Sequence, residues 1–256
     1  AVSHQTCIDD AISPMKVSKN ELMASLKKAF EGLGFRSGDY QDAADMVVWL
    51  ESHGFPGFER LQAALIYLNA TKPIHAELVQ EDAHNSVLDG RGTSILLCGS
   101  EAVDLIRSQV MLGSCAALEL LDCYNRTFIL QRLVKAAQRN YAFIAYWRQL
   151  DYCVKVSIEA GAALPEYQTF TITEVLGPQS LRMFCGTSLE AIGKQYALQL
   201  QFGTLLETYT AEEMMDCYRD SLEGGIEIDE ALWRTLDDLV ARVLVQSTDS
   251  SRSGAG

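Results

Sequence analysis

Between Ser18 and Asn69 the apolar positions recur at helical spacing in three separate runs. Leu22, Met23, Leu26, Ala29, Phe30 and Leu33 trace one face, which stops at Gly32 and Gly34. Ala43, Ala44, Met46, Val47 and Leu50 trace a second, ending near Ser52-His53-Gly54. Leu61, Ala64, Leu65 and Leu68 trace a third over Arg60 to Asn69, closed by Pro73. The first run opens with Ser18-Lys19-Asn20-Glu21, a capping box in which the serine side chain takes a free backbone N–H and Glu21 reaches back to the serine's own N–H. These patterns predict three helices and a helical N-terminal layer.

From Ala76 onward the period changes. Ser86-Val87-Leu88 and Ser94 to Cys98 read as two short strands around the turn Asp89-Gly90-Arg91-Gly92. Helical spacing returns at Glu101 to Leu112. Aromatic and β-branched residues then mark strands at Cys115–Cys123, Tyr141–Trp147, Tyr152–Glu159, Thr169–Leu176 and Leu181–Cys185, with a helix over Phe128–Arg139 between two of them. The connection between Tyr141–Trp147 and Tyr152–Glu159 is too short for a crossover helix, so these two should pair antiparallel. Helices are expected at Ser188–Glu207, at Ala211–Leu222 with Thr210 as N-cap, and at Asp229–Val245. The expected fold is α+β, with a helical N-terminal layer, a largely antiparallel central sheet and C-terminal helices. It forms a single domain over residues 1–256, with a loose lead-in at 1–15 and a mobile polar tail at 247–256.

Composition changes the picture in three places. The chain carries 34 Asp and Glu against 21 Lys and Arg, a net charge of -13, and such a field repels nucleic acid and anionic lipid surfaces. There is no apolar run long enough to span a membrane, and His4, Asp9 and Asp10 stand where an export signal needs a basic start and an apolar stretch. The seven cysteines, Cys7, Cys98, Cys115, Cys123, Cys153, Cys185 and Cys217, are odd in number, scattered and form no C-x-x-C pair, which suits reduced thiols in a cytoplasmic protein.

Lys16-Val17-Ser18 to Phe35 with Asp42-Ala43-Ala44, then Trp49 to Gly57, and finally Asp229 to Trp233 with Ser251 to Gly256 together resemble an uncharacterised bacterial domain-of-unknown-function family. The first 70 residues or so also resemble, more remotely, the non-Rossmann malate/L-lactate dehydrogenase family. That family opens with a capped helix, then a helix rich in Ala and Asp, then a Ser-His-Gly motif with an arginine shortly after, and Ser52-His53-Gly54 matches the motif. The family's arginine falls where this chain has Gly57, with Arg60 three residues later, and nothing in the chain looks like the family's cofactor segment. The resemblance implies a dehydrogenase-like scaffold with an incomplete catalytic set, a homodimer, and NAD(P) as a possible cofactor.

Candidate chemistry centres on Ser52 and His53. An imidazole beside Gly54 and the Pro56-Gly57 turn can act as a general acid or orient a carboxylate; a helix-terminal histidine can equally cap the last carbonyls in a partly charged form. Arg60 can hold a carboxylate in a forked pair or form a solvated pair with Glu59. Arg252, flanked by small residues, suits an anion, a partner chain or a disordered end. His75 and His84, near Glu77, Glu81 and Asp82, lack metal-ligand spacing, so no metal site is assigned. The rings of Tyr141, Phe143, Tyr146, Trp147 and Tyr152 can line a pocket, an interface or a core. Three readings follow: a small-molecule protein that binds a carboxylate or other anion through Ser52, His53, Arg60 and Arg252; an NAD(P)-dependent oxidoreductase of a 2-oxo or imino acid with His53 as catalytic proton donor; and a non-catalytic structural or regulatory subunit.

Overall fold

The computed structural model describes residues 14–111, 113–173 and 177–253, without the side chains of 244–253. The elements run β1 (Pro14–Val17), α1 (Lys19–Gly32), α2 (Ser37–Ser52), α3 (Gly57–Leu68), β2 (Glu77–Glu81), β3 (Asn85–Ser94), α4 (Ile95–Val110) and β4 (Cys115–Tyr124). After a short 3-10 turn at Arg126–Phe128 come α5 (Ile129–Ala137), β5 (Ala142–Gln149), β6 (Tyr152–Ile158), β7 (Glu166–Thr171), β8 (Leu181–Gly186), α6 (Leu189–Gln195), β9 (Leu205–Tyr209), α7 (Ala211–Gly224), β10 (Ile226–Asp229) and α8 (Glu230–Ser253).

The mixed α+β class is as expected. Eight strands form one sheet in the order β2-β3-β4-β8-β5-β6-β7-β9, antiparallel at every pair except β3 with β4. The β5–β6 hairpin pairs antiparallel, with Phe143 opposite Ile158 and Gln149 opposite Tyr152. Side chains alternate across this sheet. Phe143, Ala145 and Trp147 enter the main core beneath the helices, while Ala142, Ile144 and Tyr146 enter a smaller core that Ile192 and Tyr196 cover from the α6 side. Burial of both faces explains why β5 reads as a continuous apolar run instead of an alternating one. The aromatic run therefore packs mainly as core: Phe143, Tyr146 and Trp147 are buried.

Four expectations need correction. Ser94–Cys98 is not a strand. Ser94 caps α4, its side-chain oxygen accepting from Leu96 N at 3.2 Å, and α4 is the crossover that a parallel β3–β4 pair requires. Asp89-Gly90-Arg91-Gly92 is correspondingly no hairpin turn but an irregularity inside β3, where pairing with β4 shifts register between Asp89 and Thr93 and Arg91 and Gly92 take φ of 55 and 73. A short apolar run such as Ile95–Cys98 is buried in either conformation, so periodicity does not separate the two.

The expected helix over Ser188–Glu207 stops at Gln195, and Leu205–Tyr209 instead adds β9 to the sheet edge beside β7. α8 continues past Val245 to Ser253, into the segment expected as a tail. Two short strands, β1 and β10, were not expected; they pair antiparallel, Pro14 opposite Asp229 and Val17 opposite Ile226, and so tie the start of α1 to the start of α8. The lead-in over residues 1–13 lies outside the described residues. At α1, Ser18 Oγ accepts from Glu21 N at 3.2 Å, which is one half of the expected box; both halves form at α7, between Thr210 and Glu213.

Candidate functional site

α2 ends where its sequence turns from apolar to small and polar. His53 is its C-cap, and Gly54 follows at a φ of +82, a left-handed turn that glycine adopts without strain. This sharp exit holds the His53 ring against the last turn of α2. Its Nδ1 lies 2.7 Å from the Trp49 carbonyl oxygen, which also accepts the backbone N–H of His53 at 3.1 Å, so the ring donates Nδ1–H to that acceptor. The imidazole is sandwiched between the indole of Trp49, at 4.2 Å between ring centres and 16° between planes, and the ring of Tyr218 from α7, at 4.7 Å and 11°. His53 is 6% exposed, and burial pushes its pKa down to about 4. The partly charged cap considered for His53 is thus not what forms: near neutrality the ring is neutral, with its proton on Nδ1 and Nε2 left as an acceptor.

His53 lines a cleft of about 420 Å3 between the start of α1, the second half of α2, α5 and α7. Its polar lining includes Lys19, Asp45, Ser52, Lys135 and Tyr218. Lys19 Nζ stands 3.4 Å from the Tyr218 hydroxyl and 5.1 Å from the centre of that ring. Lys135 Nζ lies 3.9 Å from carboxylate oxygens of both Asp42 and Asp45. The Ser52 hydroxyl donates to Val48 O at 2.7 Å, so its proton is committed to the helix and only its oxygen remains for another donor.

Of the expected residues, Ser52 and His53 share this cleft and Arg60 does not line it. Arg60 sits in the first turn of α3, its Nε buried with no hydrogen-bond partner among the described residues, near enough to Tyr167 for the two to interact electrostatically. The side chain of Arg252 and residues 254–256 lie outside the described residues. Gly57, which stands where the dehydrogenase family has its arginine, abuts the backbone of α2: a Cβ there would come within 2.9 Å of Glu51 N and 3.1 Å of Val47 O. The Glu51 carboxylate, raised in pKa by burial, accepts from Phe58 N at 2.8 Å beside it.

The residues that sequence reasoning missed are Lys19, Lys135 and Tyr218. Lys19 was read as part of a capping signal. Lys135 belongs to Arg132, Lys135 and Arg139, a basic stripe at i, i+3, i+7 that periodicity could have exposed; Tyr218 carries no local signal at all.

Among the described residues no cluster of three or more metal-ligating side chains occurs, and His75 is taken up by Glu101, whose Oε1 lies 2.6 Å from its Nδ1. These thiols are poor nucleophiles, since burial pushes Cys123 up to about 12 and the half-buried Cys153 up to about 11. No helix among the described residues is long and apolar enough to cross a membrane.

This fold, with its helical layer over a mostly antiparallel sheet, is shared with malate/lactate dehydrogenase-like proteins. A dehydrogenase from Sinorhizobium meliloti superposes with a TM-score of 0.66 at 12% identity, over 89% of this chain and 100% of that one. Malate dehydrogenase from Entamoeba histolytica gives 0.63 at 9% identity, over 90% and 98%. Delta1-piperideine-2-carboxylate reductase from Pseudomonas syringae pvar. tomato gives 0.57 at 10% identity, over 88% and 99%. In sequence, residues 17–95 match a family described as "Protein of unknown function (DUF3726)". That match takes in the first two stretches of the expected resemblance, around Val17–Phe35 and Trp49–Gly57, and not the C-terminal one. No curated protein matches the sequence.

Proposed function

We propose that the chain binds a small carboxylic acid in the His53 cleft. The observation that carries this reading is the state of His53: a neutral imidazole held between two rings, its Nδ1–H spent on Trp49 and its Nε2 left to accept. Lys19 supplies a cation beside the same Tyr218 ring, so the cleft pairs a charge for a carboxylate with an acceptor for a neighbouring O–H or N–H. Ligands with both features, 2-hydroxy and 2-amino acids, suit it better than 2-oxo acids, which lack the donor. Arg60 is left out of this proposal because it lines no part of the cleft.

The dehydrogenase fold favours a second reading, an oxidoreductase with His53 as its proton-transfer group. A nicotinamide dinucleotide would need a cradle for its pyrophosphate, and the lining of the cleft holds no glycine and only two lysines that stand on different helices. The cleft by itself does not fit such a cofactor, and no step through one is derived. A homodimer remains part of the proposal, supported by the exposed Leu78 and Val79 of edge strand β2 and Leu205 and Leu206 of edge strand β9.

The test is a thermal-shift and calorimetric series with 2-hydroxy, 2-amino, imino and 2-oxo acids and with NADH and NADPH, on the wild type and on His53→Ala and Lys19→Gln. A ligand at a hundredfold excess over its Kd stabilises by about 2.7 kcal/mol. Stabilisation by hydroxy or amino acids that both substitutions weaken supports the binding reading. Dinucleotide binding weakened by His53→Ala moves the reading to the oxidoreductase, and no response to any acid sinks both.

A further inference from the structure

α5 carries Arg132 and Lys135 on one face, Arg139 follows two residues after the helix ends, and across from them α4 presents Arg107. These four cations line a cavity of about 210 Å3 whose remaining polar lining is Asp42, Ser100 and Asp104. Four positive charges against Asp42 and Asp104 in the lining, with Asp45 3.6 Å from Arg132 and 3.9 Å from Lys135, still leave one positive charge in excess inside a chain of net charge -13. Such a local inversion of sign is a specific arrangement, because the mean field of the molecule works against it.

Existing partners do not use up the cations. Arg132 is 6% exposed and ion-pairs with Asp42, yet its Nη2 is buried without a hydrogen bond among the described residues, 3.6 Å from Asp45. Arg107 donates from Nη1 to Asp104 at 2.8 Å and lies over the Tyr141 ring at 4.9 Å, while its Nε is buried without a partner among the described residues. Arg139, exposed just past the end of α5, has no ion pair among the described residues. A buried guanidinium N–H without an acceptor is destabilising, and a neutral acceptor would meet the donor without meeting the excess charge. Guanidinium groups on two facing helices match the several oxygens of a tetrahedral anion.

We infer that the cavity between α4 and α5 binds a phosphate-type oxyanion, either free inorganic phosphate or the phosphate of a small phosphomonoester. The site is separate from the His53 cleft, with Lys135 the one residue lining both. The inference does not depend on a carboxylic acid binding beside His53.

The test is isothermal titration of the full chain, in a buffer free of phosphate and at low salt, with inorganic phosphate and with glycerol 3-phosphate. Saturable binding is expected, weakened at least tenfold by Arg139→Gln and abolished by Arg139→Glu; both substitutions are at an exposed position, and circular dichroism confirms the fold. His53→Ala should leave phosphate binding unchanged, which keeps failure here distinct from failure of the His53 reading. Tighter binding of the ester identifies a phosphomonoester, and tighter binding of the free ion identifies inorganic phosphate. No binding of either at millimolar concentration, or binding to Arg139→Glu equal to wild type, overturns the inference.

Discussion

The hydroxyl of Tyr209 donates to the carbonyl oxygen of His53 at 2.9 Å, joining residues 156 positions apart in the chain. This contact fastens the last residue of β9 to the C-cap of α2, and so sets where α7, with Tyr218, meets the imidazole. Because the carbonyl follows the last turn of α2, it has no acceptor role within the helix and depends on Tyr209. Tyr209→Phe should cost about 1 kcal/mol, a typical net hydrogen-bond contribution, read as a lower urea midpoint at unchanged m-value. A midpoint equal to wild type would show that the bond contributes nothing net.

Gly54 makes the same junction possible. Its φ is +82, and a Cβ would overlap the Tyr209 hydroxyl and lie 2.8 Å from Cys217 Sγ. Gly54→Ala combines a left-handed non-glycine residue with this collision and should cost at least about 2 kcal/mol. The double variant Gly54→Ala with Tyr209→Phe removes one of the colliding atoms, so its loss should be smaller than the sum of the two single losses. Strict additivity in a double-mutant cycle would contradict this geometry.

The neutral state of His53 has a sign in the pH dependence of stability. Burial lowers its pKa to about 4, against about 6.5 in an unfolded chain. Above the unfolded value both states are neutral and the residue contributes no slope. As pH falls below it, the unfolded chain takes up a proton that the folded one refuses, and stability drops until the folded pKa is reached. The whole window is worth about 3 kcal/mol. Urea midpoints measured from pH 7.5 to 4.5 should fall more steeply for wild type than for His53→Gln, and parallel curves would show that the histidine does not carry the effect.

Gly57 stands where the dehydrogenase resemblance calls for an arginine, so Gly57→Arg is the intuitive way to complete the motif. The structure opposes it, because any Cβ at that position presses on the backbone of α2 at Glu51 and Val47. The expected outcome is a loss of about 2 kcal/mol or more with no gain in acid binding. A stable Gly57→Arg protein with improved affinity for carboxylates would show that α2 and α3 can separate there.

Much of the helical layer was legible because its signals are local. The apolar rows of α1, α2 and α3, the Ser18 cap and the Thr210 N-cap each lie within a few residues of the chain. Ser52-His53-Gly54 was legible as a helix end for the same reason. Reading failed where partners are remote. Ile95–Cys98 is helical because α4 must cross back to set β4 parallel to β3, and Leu205–Tyr209 is extended because β7 offers it an edge. Neither segment carries that information in its own spacing. The cleft followed the same rule, for Tyr218, Lys19 and Lys135 line it together with His53 from three different helices.

The sequence by itself determined the mixed class, the acidic balance, most strands and helices, and the position of a histidine at a helix end, all properties of residues and their near neighbours. Only the tertiary structure decided that this histidine is neutral, stacked between Trp49 and Tyr218, and separated from the Arg60 expected to join it. The reason is physical: a pKa and a binding cavity depend on what surrounds a group in space, and packing brings those surroundings together from segments that nothing local relates.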